Sequence, residues 1–416
     1  MRKIMQTKVF GCKVNKYYTD KWMNTSYLKD KKGIFIATCV VTDKAKRKWL
    51  KYVRDEAKKL NPGEMLFLSG CGSIKDGEVQ KDFFEIYPEL NEIKDKIELL
   101  PEDTTSKEKE SLNEKLKNAA KLNLTTKKFV LIQSGCDSFC SFCLTVKKRG
   151  KHFSRSKEEI ISEIGEFEKS GGKEIVLTGV NLCAWGLETT NDIGQSRFAE
   201  LLEEILEKTQ IERIRISSLG PEFVDDKVIK VLSNSRIMPH FHFSVQSGAN
   251  ATLKHMGRHY SGDYMRELLG KIRNIKRDDN VEIGIGADII VGFPNESDED
   301  FEDTLALVKD YKITKVHGFP FSPHKFGEDV PAGIFPNQID EKVKKERLNK
   351  LLSLAEEVRN DFISSQAGII LEALIEAPRN GNFGGWTSNY IEINKDNFEV
   401  LEGEIKKNSI VKGKLK

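Results

Sequence analysis

The sequence predicts an α/β protein in three parts, and three features of the chain support this fold class. Strand-like and helix-like segments alternate from residue 8 to about residue 126. Six further strand–helix units follow up to about residue 311, and a β-rich tail closes the chain. We therefore predict domains at 1–126, 127–365 and 366–416 of the 416 residues.

The first domain is predicted to be a small parallel sheet. Its strand candidates are residues 7–10, 33–37 and 65–69, and its clearest helix candidate is 44–60. Alternation of short apolar strands with helices is typical of parallel sheets, because parallel strands need crossover connections. A polar, charge-dense stretch at 101–122 is predicted to be a linker or a solvated helix.

The middle of the chain is predicted to be a partial or complete (β/α) barrel. Strand candidates lie at 129–133, 174–180, 213–218, 240–245, 281–291 and 315–321. The helix candidates between them include 157–168, 198–208, 225–233, 263–275 and 298–309. In such a barrel the functional residues lie on the loops that follow the C-terminal ends of the strands.

A long charged helix at 340–364 precedes the tail, which extends from 369 to 416. The pair Gly384–Gly385 and the alternating Tyr-Ile-Glu-Ile at 390–393 are typical of short antiparallel strands. The tail is therefore predicted to be a small β-barrel.

Charge and hydropathy limit the class of protein. Lys and Arg total 67 against 64 Asp and Glu, a net charge of +3, so any nucleic-acid surface must be local. No uncharged run reaches the roughly 18 apolar residues of a membrane span. We expect a cytoplasmic protein without membrane contact. In that reducing compartment the seven cysteines indicate metal or redox chemistry rather than disulfides.

Three cysteines form a tight group, Cys136, Cys140 and Cys143, directly after the first barrel strand. Three thiolates on one loop can bind three corners of a [4Fe–4S] cube and leave the fourth iron open. A zinc site is the alternative, and it requires a fourth ligand, for which His152 is the nearby candidate.

Three more cysteines, Cys12, Cys39 and Cys71, each follow one strand of the first domain. The carboxyl ends of parallel strands meet at one edge of a sheet, where α/β proteins place ligands. The trio therefore predicts a second cluster, and buried, chemically inert thiols are the alternative.

The tight cysteine group, with Phe142 before its last cysteine, resembles the signature of the radical S-adenosylmethionine (SAM) superfamily. This resemblance implies that SAM binds the open iron and is cleaved to a radical that abstracts hydrogen from an unreactive C–H bond. It also implies the barrel fold, with Phe142 close to the cofactor.

The cysteine trio ahead of that barrel resembles the methylthiotransferases of this superfamily, in which it holds an auxiliary [4Fe–4S] cluster. Gly-Cys-Lys-Val-Asn at 11–15 resembles the branch that modifies N6-threonylcarbamoyladenosine at position 37 of tRNA. The stretches 177–182, 215–219 and 288–294 resemble the same branch. The tail, with Gly-Asn-Phe at 381–383 and Asn389-Tyr390, resembles a TRAM domain, a small RNA-binding barrel.

The resemblance implies two SAM molecules per reaction, one as methyl donor and one as radical source. It also implies a flavodoxin- or ferredoxin-like reductant and the tRNA anticodon loop as partner, and the sulfur donor is not indicated. Isopentenyladenosine-37 tRNA and a ribosomal protein are the alternative substrates. A zinc-bearing RNA-binding module without catalysis is the alternative class.

This chain departs from the methylthiotransferase pattern at three places. Thr145-Val146 and Lys151-His152 replace the family's usual residues after the last cysteine of the loop. Gly220 stands where a glutamate is usual. Since none of these positions is a predicted cluster ligand, the predicted reaction class is unchanged.

Polar residues at barrel strand ends are candidates for binding SAM beyond the iron. They are Asn181, Ser217, Gln246 and Asp288, and Arg258 is placed to pair with a carboxylate or phosphate. Helix caps and turn hydrogen bonds are the alternative roles for such residues.

Two further features are predicted to be structural. His240 and His242 are two residues apart and share one face of a strand, with no third metal ligand nearby in sequence. Cys183 lies outside both cysteine groups and is predicted to be a buried thiol.

RNA contacts require cations for phosphates and aromatic rings for splayed bases. The densest basic run follows the cysteine loop, and ordinary solvation is its alternative reading. Its predicted phosphate-binding residues are Lys147, Lys148, Arg149, Lys151 and Arg155.

Aromatic residues of the tail are the candidates for stacking on RNA bases. They are Phe383, Trp386 and Tyr390, which lie beside glycines. Membership of the core of the small barrel is the alternative role.

Overall fold

The computed structural model describes residues 5–104, 126–190, 196–324, 330–376 and 382–416. The predicted linker from residue 105 onward and Gly381 lie outside these ranges. The chain divides into two compact units. The first, here the N-terminal unit, comprises Met1–Leu122, Ser134–Phe153 and Ser322–Ile334; the second, the barrel unit, comprises Asn123–Gln133, Ser154–Phe321 and Phe335–Lys416.

This division assigns the loop of Cys136, Cys140 and Cys143 to the N-terminal unit, although the loop follows the first barrel strand in sequence. The C-terminal β-rich tail belongs to the barrel unit. The three predicted domain boundaries remain a prediction.

A four-stranded parallel sheet forms the centre of the N-terminal unit. Its strands and an intervening short hairpin are β1 (Gln6–Val9), β2 (Gly33–Thr38), β3 (Met65–Gly70), β4 (Ile74–Lys75), β5 (Glu78–Val79) and β6 (Ile97–Leu99). The sheet order is β1-β2-β3-β6, and β4 pairs with β5 alone. The unit's helices are α1 (Lys13–Met23), α2 (Ser26–Lys29), α3 (Asp43–Ala57), α4 (Phe83–Ile86), a 3-10 helix (Pro88–Lys96) and α5 (Thr145–Arg149).

Helix α3 shows how the sequence determines a helix that packs on this sheet. The Thr42 side chain accepts a hydrogen bond from the backbone N–H of Ala45 at 3.1 Å, which caps the first turn. The apolar face of the helix buries Trp49, whose ring lies 5.1 Å from that of Tyr87. This core covers one face of the sheet and holds its strand ends in register.

The barrel unit contains six parallel strands that follow one another in space as they do in sequence. They are β7 (Lys127–Leu131), β10 (Glu174–Thr178), β11 (Arg213–Ile216), β12 (His240–Gln246), β13 (Gly284–Val291) and β14 (Ile313–Pro320). Two-residue strands, β8 (Gln133–Ser134) and β9 (Phe153–Ser154), lie where the chain passes between the units. The sheets β11-β10-β7 and β12-β13-β14 are joined by parallel bridges such as Leu219 to Phe243. The predicted partial (β/α) barrel is confirmed.

Helices between these strands surround the barrel. They are α6 (Lys157–Lys169), α7 (Phe198–Lys208), α8 (Asp226–Val231), α9 (Asn250–His255), α10 (Gly262–Arg273), α11 (Asp298–Asp310) and α12 (Glu341–Ser365). Helix α11 begins with a capping box, in which Ser297 and Asp300 each bond the other's backbone N–H at 3.0 Å. Within the described part of the chain, no helix combines the length and apolar character needed to cross a bilayer.

The tail forms a curled antiparallel sheet, consistent with the predicted TRAM-like barrel. Its strands are β15 (Ile370–Ile375), β16 (Gly384–Thr387), β17 (Glu392–Asn394), β18 (Phe398–Glu402) and β19 (Ile410–Leu415), in the order β17-β16-β15-β19-β18. Its core buries apolar side chains from β15, β17, β18 and β19, Phe398 and Ile393 among them. The α/β fold class is thus confirmed in all three of its parts.

A buried ion-pair network joins the tail to the barrel. Glu174, at the first position of β10, accepts hydrogen bonds from Arg213 Nε at 2.7 Å and Arg215 Nε at 2.9 Å. Arg213 also bonds Glu372 of the tail at 2.9 Å, and Arg215 bonds the Thr387 carbonyl at 2.8 Å. These carboxylates offset the cost of burying two guanidinium groups at the N-terminal end of the barrel. Residues at that end of a barrel serve stability.

Burial alone would raise the pKa of Glu174, but Arg215, Arg213 and Lys127 lower it to about 2. Because the folded pKa lies below the ordinary value of 4.5, the carboxylate stabilises the fold fully above pH 4.5. That contribution is lost as the pH falls toward 2.

We predict that Glu174→Gln lowers the free energy of unfolding by about 3–5 kcal/mol at neutral pH, because it leaves the buried guanidinium of Arg215 without a counter-charge and Arg213 with Glu372 alone. Denaturant unfolding of the full chain measures this. Glu302→Gln, which breaks an exposed pair with Lys350, is the matched control and should leave the unfolding midpoint unchanged. Equal effects of the two substitutions would contradict the structural role of the network.

Candidate active site

The tight cysteine group lies on the loop between β8 and α5. The backbone N–H of Ser138 points to Cys136 Sγ at 3.5 Å, and that of Thr145 points to Cys143 Sγ at 3.4 Å. The Thr145 hydroxyl lies 3.1 Å from Cys143 Sγ. Backbone N–H groups aimed at sulfur stabilise thiolates and are a feature of iron–sulfur ligand loops.

The thiols of this loop influence one another electrostatically. Burial, followed by the neighbouring Cys140, raises the pKa of Cys143 to about 11, with a further contribution from Cys136. Three such thiols become thiolates together only when a cationic centre compensates their charge. The loop therefore fits a bound metal centre.

A zinc ion is the alternative occupant of this loop, because tetrahedral zinc also takes thiolate ligands. Among the residues that the structure describes, the one group of three potential ligand atoms within 4.8 Å of one another contains neither these cysteines nor His152.

The second cysteine trio lies at one edge of the N-terminal sheet. Val9 of β1 pairs with Ala37 of β2, and Ala37 pairs with Ser69 of β3, so the three strands end side by side. Each cysteine follows its strand by one to three residues, which places all three at the same edge. The predicted convergence of Cys12, Cys39 and Cys71 is thus what the register produces.

Close packing brings the trio together. Gly11 has φ of 95°, and a Cβ there would lie 2.8 Å from Cys39 Sγ, so glycine is required on both grounds. Burial, then Cys71 and Cys12, raises the pKa of Cys39 to about 12. As in the first loop, the donor set fits a cationic centre and is unfavourable without one.

Asn15 fixes the same sheet edge. Its side-chain amide donates to the carbonyl oxygens of Phe10 at 2.7 Å and Thr38 at 2.8 Å, at the ends of β1 and β2. Its Oδ1 atom accepts a hydrogen bond from Arg149 Nη2 at 2.8 Å. The asparagine of the Gly-Cys-Lys-Val-Asn motif therefore positions the strand ends that carry the cysteines.

The structure corrects part of the predicted phosphate clamp. Lys148 and Arg149 are buried, Lys148 bonding Gln80 Oε1 at 2.8 Å, so neither is available to a phosphate. Lys147 and Lys151 are exposed, as predicted for RNA contacts. In the barrel unit, Arg155 pairs with Glu163 at 2.8 Å and donates to the Leu131 carbonyl. Within the basic run, the cations of Lys148, Arg149 and Arg155 are therefore structural. Those of Lys147 and Lys151 are exposed.

Three neighbouring barrel strands, β12, β13 and β14, place a carboxylate between two imidazole rings. Asp288 Oδ1 lies 3.1 Å from His242 Nε2 and 3.2 Å from His317 Nδ1. Burial alone would raise the pKa of Asp288, but the hydrogen bonds from the two histidines hold it well below its usual range. A Cβ on Gly286 would lie 2.4 Å from His242 Nδ1, so glycine makes room for this ring.

This trio is also the group whose ligand atoms lie within 4.8 Å of one another. Two imidazoles and a carboxylate form a donor set for divalent transition metals, and two hydrogen bonds to one carboxylate oxygen explain the same contacts. Sequence reasoning missed His317. The signal was available, because His317 pairs with Asp288 in the parallel register of β13 and β14.

The other predicted SAM contacts lie at or after the carboxyl ends of barrel strands. Ser217 follows β11 and is buried, and Gln246 ends β12 with φ of 66°, a left-handed conformation that is uncommon outside glycine. Arg258 Nη2 lies 3.6 Å from Glu222, and its guanidinium lies over the ring of Tyr260. Their roles toward SAM, like that of half-buried Phe142, remain predictions.

Asn181 is positioned by a buried glutamine. Gln133 Oε1 accepts hydrogen bonds from the backbone N–H groups of Val180 at 3.0 Å and Asn181 at 2.8 Å. This contact fixes the loop that follows β10. Cys183, two residues further on, is buried, and burial raises the pKa of its thiol, consistent with the predicted structural role.

The tail aromatics contribute to packing within the barrel unit. Phe383 is buried in the core of the tail, so it is not available as a base platform. Trp386 and Tyr390 are half-buried and stack on each other at 4.4 Å, and Tyr390 also packs 4.5 Å from His240 and 5.2 Å from Arg215. The base-stacking role of these two rings stays a prediction.

Comparisons with known proteins agree with this arrangement. The profile of the Radical SAM superfamily matches residues 130–308. The chain is 30% identical to the threonylcarbamoyladenosine tRNA methylthiotransferase MtaB of Bacillus subtilis over an alignment of 434 positions, gaps included. The alignment covers 97% of this chain and 92% of that protein. The corresponding MtaB of Rickettsia prowazekii is 31% identical, with 97% and 93% covered.

A second kind of relative has similar identity. The tRNA-2-methylthio-N(6)-dimethylallyladenosine synthase of Geobacillus thermodenitrificans is 32% identical over 430 residues, covering 97% of this chain and 77% of that protein. The chain belongs to the methylthiotransferase family of radical SAM enzymes. Membership implies SAM and a [4Fe–4S] cluster as cofactors, and the loop of Cys136, Cys140 and Cys143 has the donor set to hold that cluster.

We predict that Gln133→Leu lowers the free energy of unfolding by about 1–3 kcal/mol, because two partly buried backbone N–H groups lose their buried acceptor. Denaturant unfolding measures the change. Gln338→Leu, at an exposed position, is the control and should match the parent. A Gln133→Leu variant as stable as the parent would show that the loop after β10 does not depend on this contact.

Proposed function

We propose that this chain is a tRNA methylthiotransferase that converts N6-threonylcarbamoyladenosine at position 37 to its 2-methylthio derivative. The observation that carries the proposal is the presence of two separate three-cysteine sites in one chain, one on the loop after the first barrel strand and one at a sheet edge. Relatives of that name match nearly end to end, with 92% and 93% of their length covered.

The Gly-Cys-Lys-Val-Asn motif at 11–15 supports the threonylcarbamoyladenosine branch. Its asparagine bonds the carbonyls of Phe10 and Thr38 at the sheet edge. Its glycine allows the close approach of the backbone to Cys39. The alternative substrate is dimethylallyladenosine in tRNA, because synthases for its methylthio derivative are 32% identical to this chain. A ribosomal protein is a further alternative substrate.

In the proposed first site, Cys136, Cys140 and Cys143 hold three corners of a [4Fe–4S] cluster and leave one iron for SAM. When bound there, the cluster and SAM supply the reducing electron and the radical for hydrogen abstraction. The protein contributes backbone N–H groups toward the sulfurs, from Ser138 and Thr145. Its role is to hold the donors in place and to keep them charged.

In the proposed second site, Cys12, Cys39 and Cys71 hold an auxiliary [4Fe–4S] cluster, which handles the inserted sulfur. Support comes from the shared sheet edge and from the close approach of Gly11 to Cys39. A flavodoxin- or ferredoxin-like protein is the proposed reductant for both sites.

The proposed RNA partner is the anticodon loop. Lys147 and Lys151 are exposed beside the cysteine loop and carry the charge that phosphates require. Charge-neutralising substitutions at these two positions should weaken tRNA binding more at low salt than at high salt.

The test of the substrate is nucleoside analysis of tRNA from a strain that lacks the gene. We expect the 2-methylthio derivative of threonylcarbamoyladenosine to be missing and to return with the parent gene. Variants with alanine at Cys136 or at Cys39 should fail to restore it. Cys183→Ala, outside both trios, is the matched control and should restore it.

Three results would redirect the proposal. Loss of the methylthio derivative of dimethylallyladenosine instead would assign the chain to the second branch. An unchanged nucleoside profile together with an unmodified ribosomal protein would assign it to the protein-modifying branch. Restoration by the Cys39 variant would remove the second cysteine site from the reaction.

A further inference from the structure

Arg149 is a buried cation at the second cysteine site, although it belongs to the segment that carries the first. It ends α5, six residues after Cys143 in the chain. Its side chain is 2% exposed. A guanidinium group is costly to bury unless it is paired and hydrogen-bonded, so its partners decide what it does.

Those partners surround the auxiliary site. Arg149 Nη1 donates to the carboxylate of Glu102, which is itself buried, and Nη2 donates to Asn15 Oδ1 at 2.8 Å. Nη2 also lies 4.0 Å from Cys12 Sγ. All of these residues belong to the N-terminal unit.

The same cation also contacts a second thiol, because a side-chain hydrogen bond joins Arg149 to Cys71. Arginine side chains stay protonated in proteins. A full positive charge therefore lies beside the Glu102 carboxylate and beside the sulfurs of Cys12 and Cys71. The planar, forked shape of the guanidinium allows it to bond Glu102 and Asn15 through two different nitrogens, whereas a lysine would have to reach both from one.

We propose that Arg149 is a positioning residue for the auxiliary cluster and that its charge, offset by Glu102, sets the reduction potential of that cluster. This inference rests on the second cluster of the proposed function. The potential of an iron–sulfur cluster depends on nearby charge and on hydrogen bonds to its sulfurs. A buried cation stabilises the more negative, reduced state and so raises the potential, and Glu102 acts in the opposite direction.

The position of Arg149 gives this role a structural consequence. Thr145 at the start of α5 bonds Cys143 Sγ, and Arg149 at its end contacts the Cys12 edge. One short helix thus connects the ligand loop of the first cluster to the charge environment of the second.

The experiment is a potentiometric titration of the full-length, anaerobically reconstituted protein, followed by electron paramagnetic resonance. The auxiliary signal is identified as the one that persists after Cys136, Cys140 and Cys143 are replaced by alanine. Iron and sulfide are counted for every variant before titration. The variants are Arg149→Met, Arg149→Lys and Glu102→Gln, with Lys148→Met as the matched control, a neighbouring buried cation that bonds Gln80 instead.

We expect Arg149→Met to lower the midpoint potential of the auxiliary cluster and Glu102→Gln to raise it. Arg149→Lys should fall between Arg149→Met and the parent, and Lys148→Met should match the parent. The potential of the other cluster should change less in every case. Opposite shifts from two substitutions at one ion pair are a signature that loss of packing alone would not produce.

Shifts of the same sign, or no shift, in Arg149→Met and Glu102→Gln would overturn the inference. If Arg149→Met loses the auxiliary iron, Arg149→Lys and Glu102→Gln decide the question by the same criterion of opposite sign. A parent protein with about four rather than about eight irons would instead overturn the proposed second cluster, which is a separate outcome.

Discussion

Burying several thiols within electrostatic reach of one another is the constraint on which the rest of this structure depends. Each trio of cysteines is unfavourable as three thiolates without a cation, as the raised pKa values of Cys39 and Cys143 show. A parallel sheet solves the placement problem for one trio because its strands end together. A short loop stabilised by backbone N–H groups solves it for the other. A sheet edge and a loop thus each bring three thiols together, by different local structures.

Charge compensation also organises the parts of the molecule that do no chemistry. Glu174 holds two buried guanidinium groups between the barrel and the tail, and Glu102 holds Arg149 at the sheet edge. In both places a buried carboxylate offsets the cost of burying guanidinium groups, and Glu372 adds to this charge compensation at Arg213. The same principle therefore attaches the tail and supports the second cysteine site.

Much of the fold and the cysteine chemistry could be predicted from the sequence because both follow local rules. Strand–helix alternation predicted the parallel sheet and the barrel, and helix 198–208 was predicted at its observed bounds. The spacing of cysteines after strands predicted which thiols would meet. These features depend on a few neighbouring residues and on the geometry of parallel strands, so a single sequence carries them.

The roles of charged and aromatic residues could not be predicted in the same way. Lys148 and Arg149 look like part of an exposed basic run, yet their burial is decided by Gln80 and Glu102, which lie far away in sequence. Phe383, Trp386 and Tyr390 likewise take their places from tertiary packing. A run of charged or aromatic residues in the sequence shows which residue types are present, but their solvent exposure is decided by the folded chain.

Counting iron, acid-labile sulfide and zinc per chain tests most directly whether the two cysteine trios hold two independent clusters. The protein is reconstituted anaerobically as the parent, with alanine at Cys136, Cys140 and Cys143, and with alanine at Cys12, Cys39 and Cys71. We expect about eight irons in the parent and about four in each triple variant, with little zinc. About four irons in the parent that disappear with the first trio alone would contradict the second cluster and the methylthiolation that depends on it.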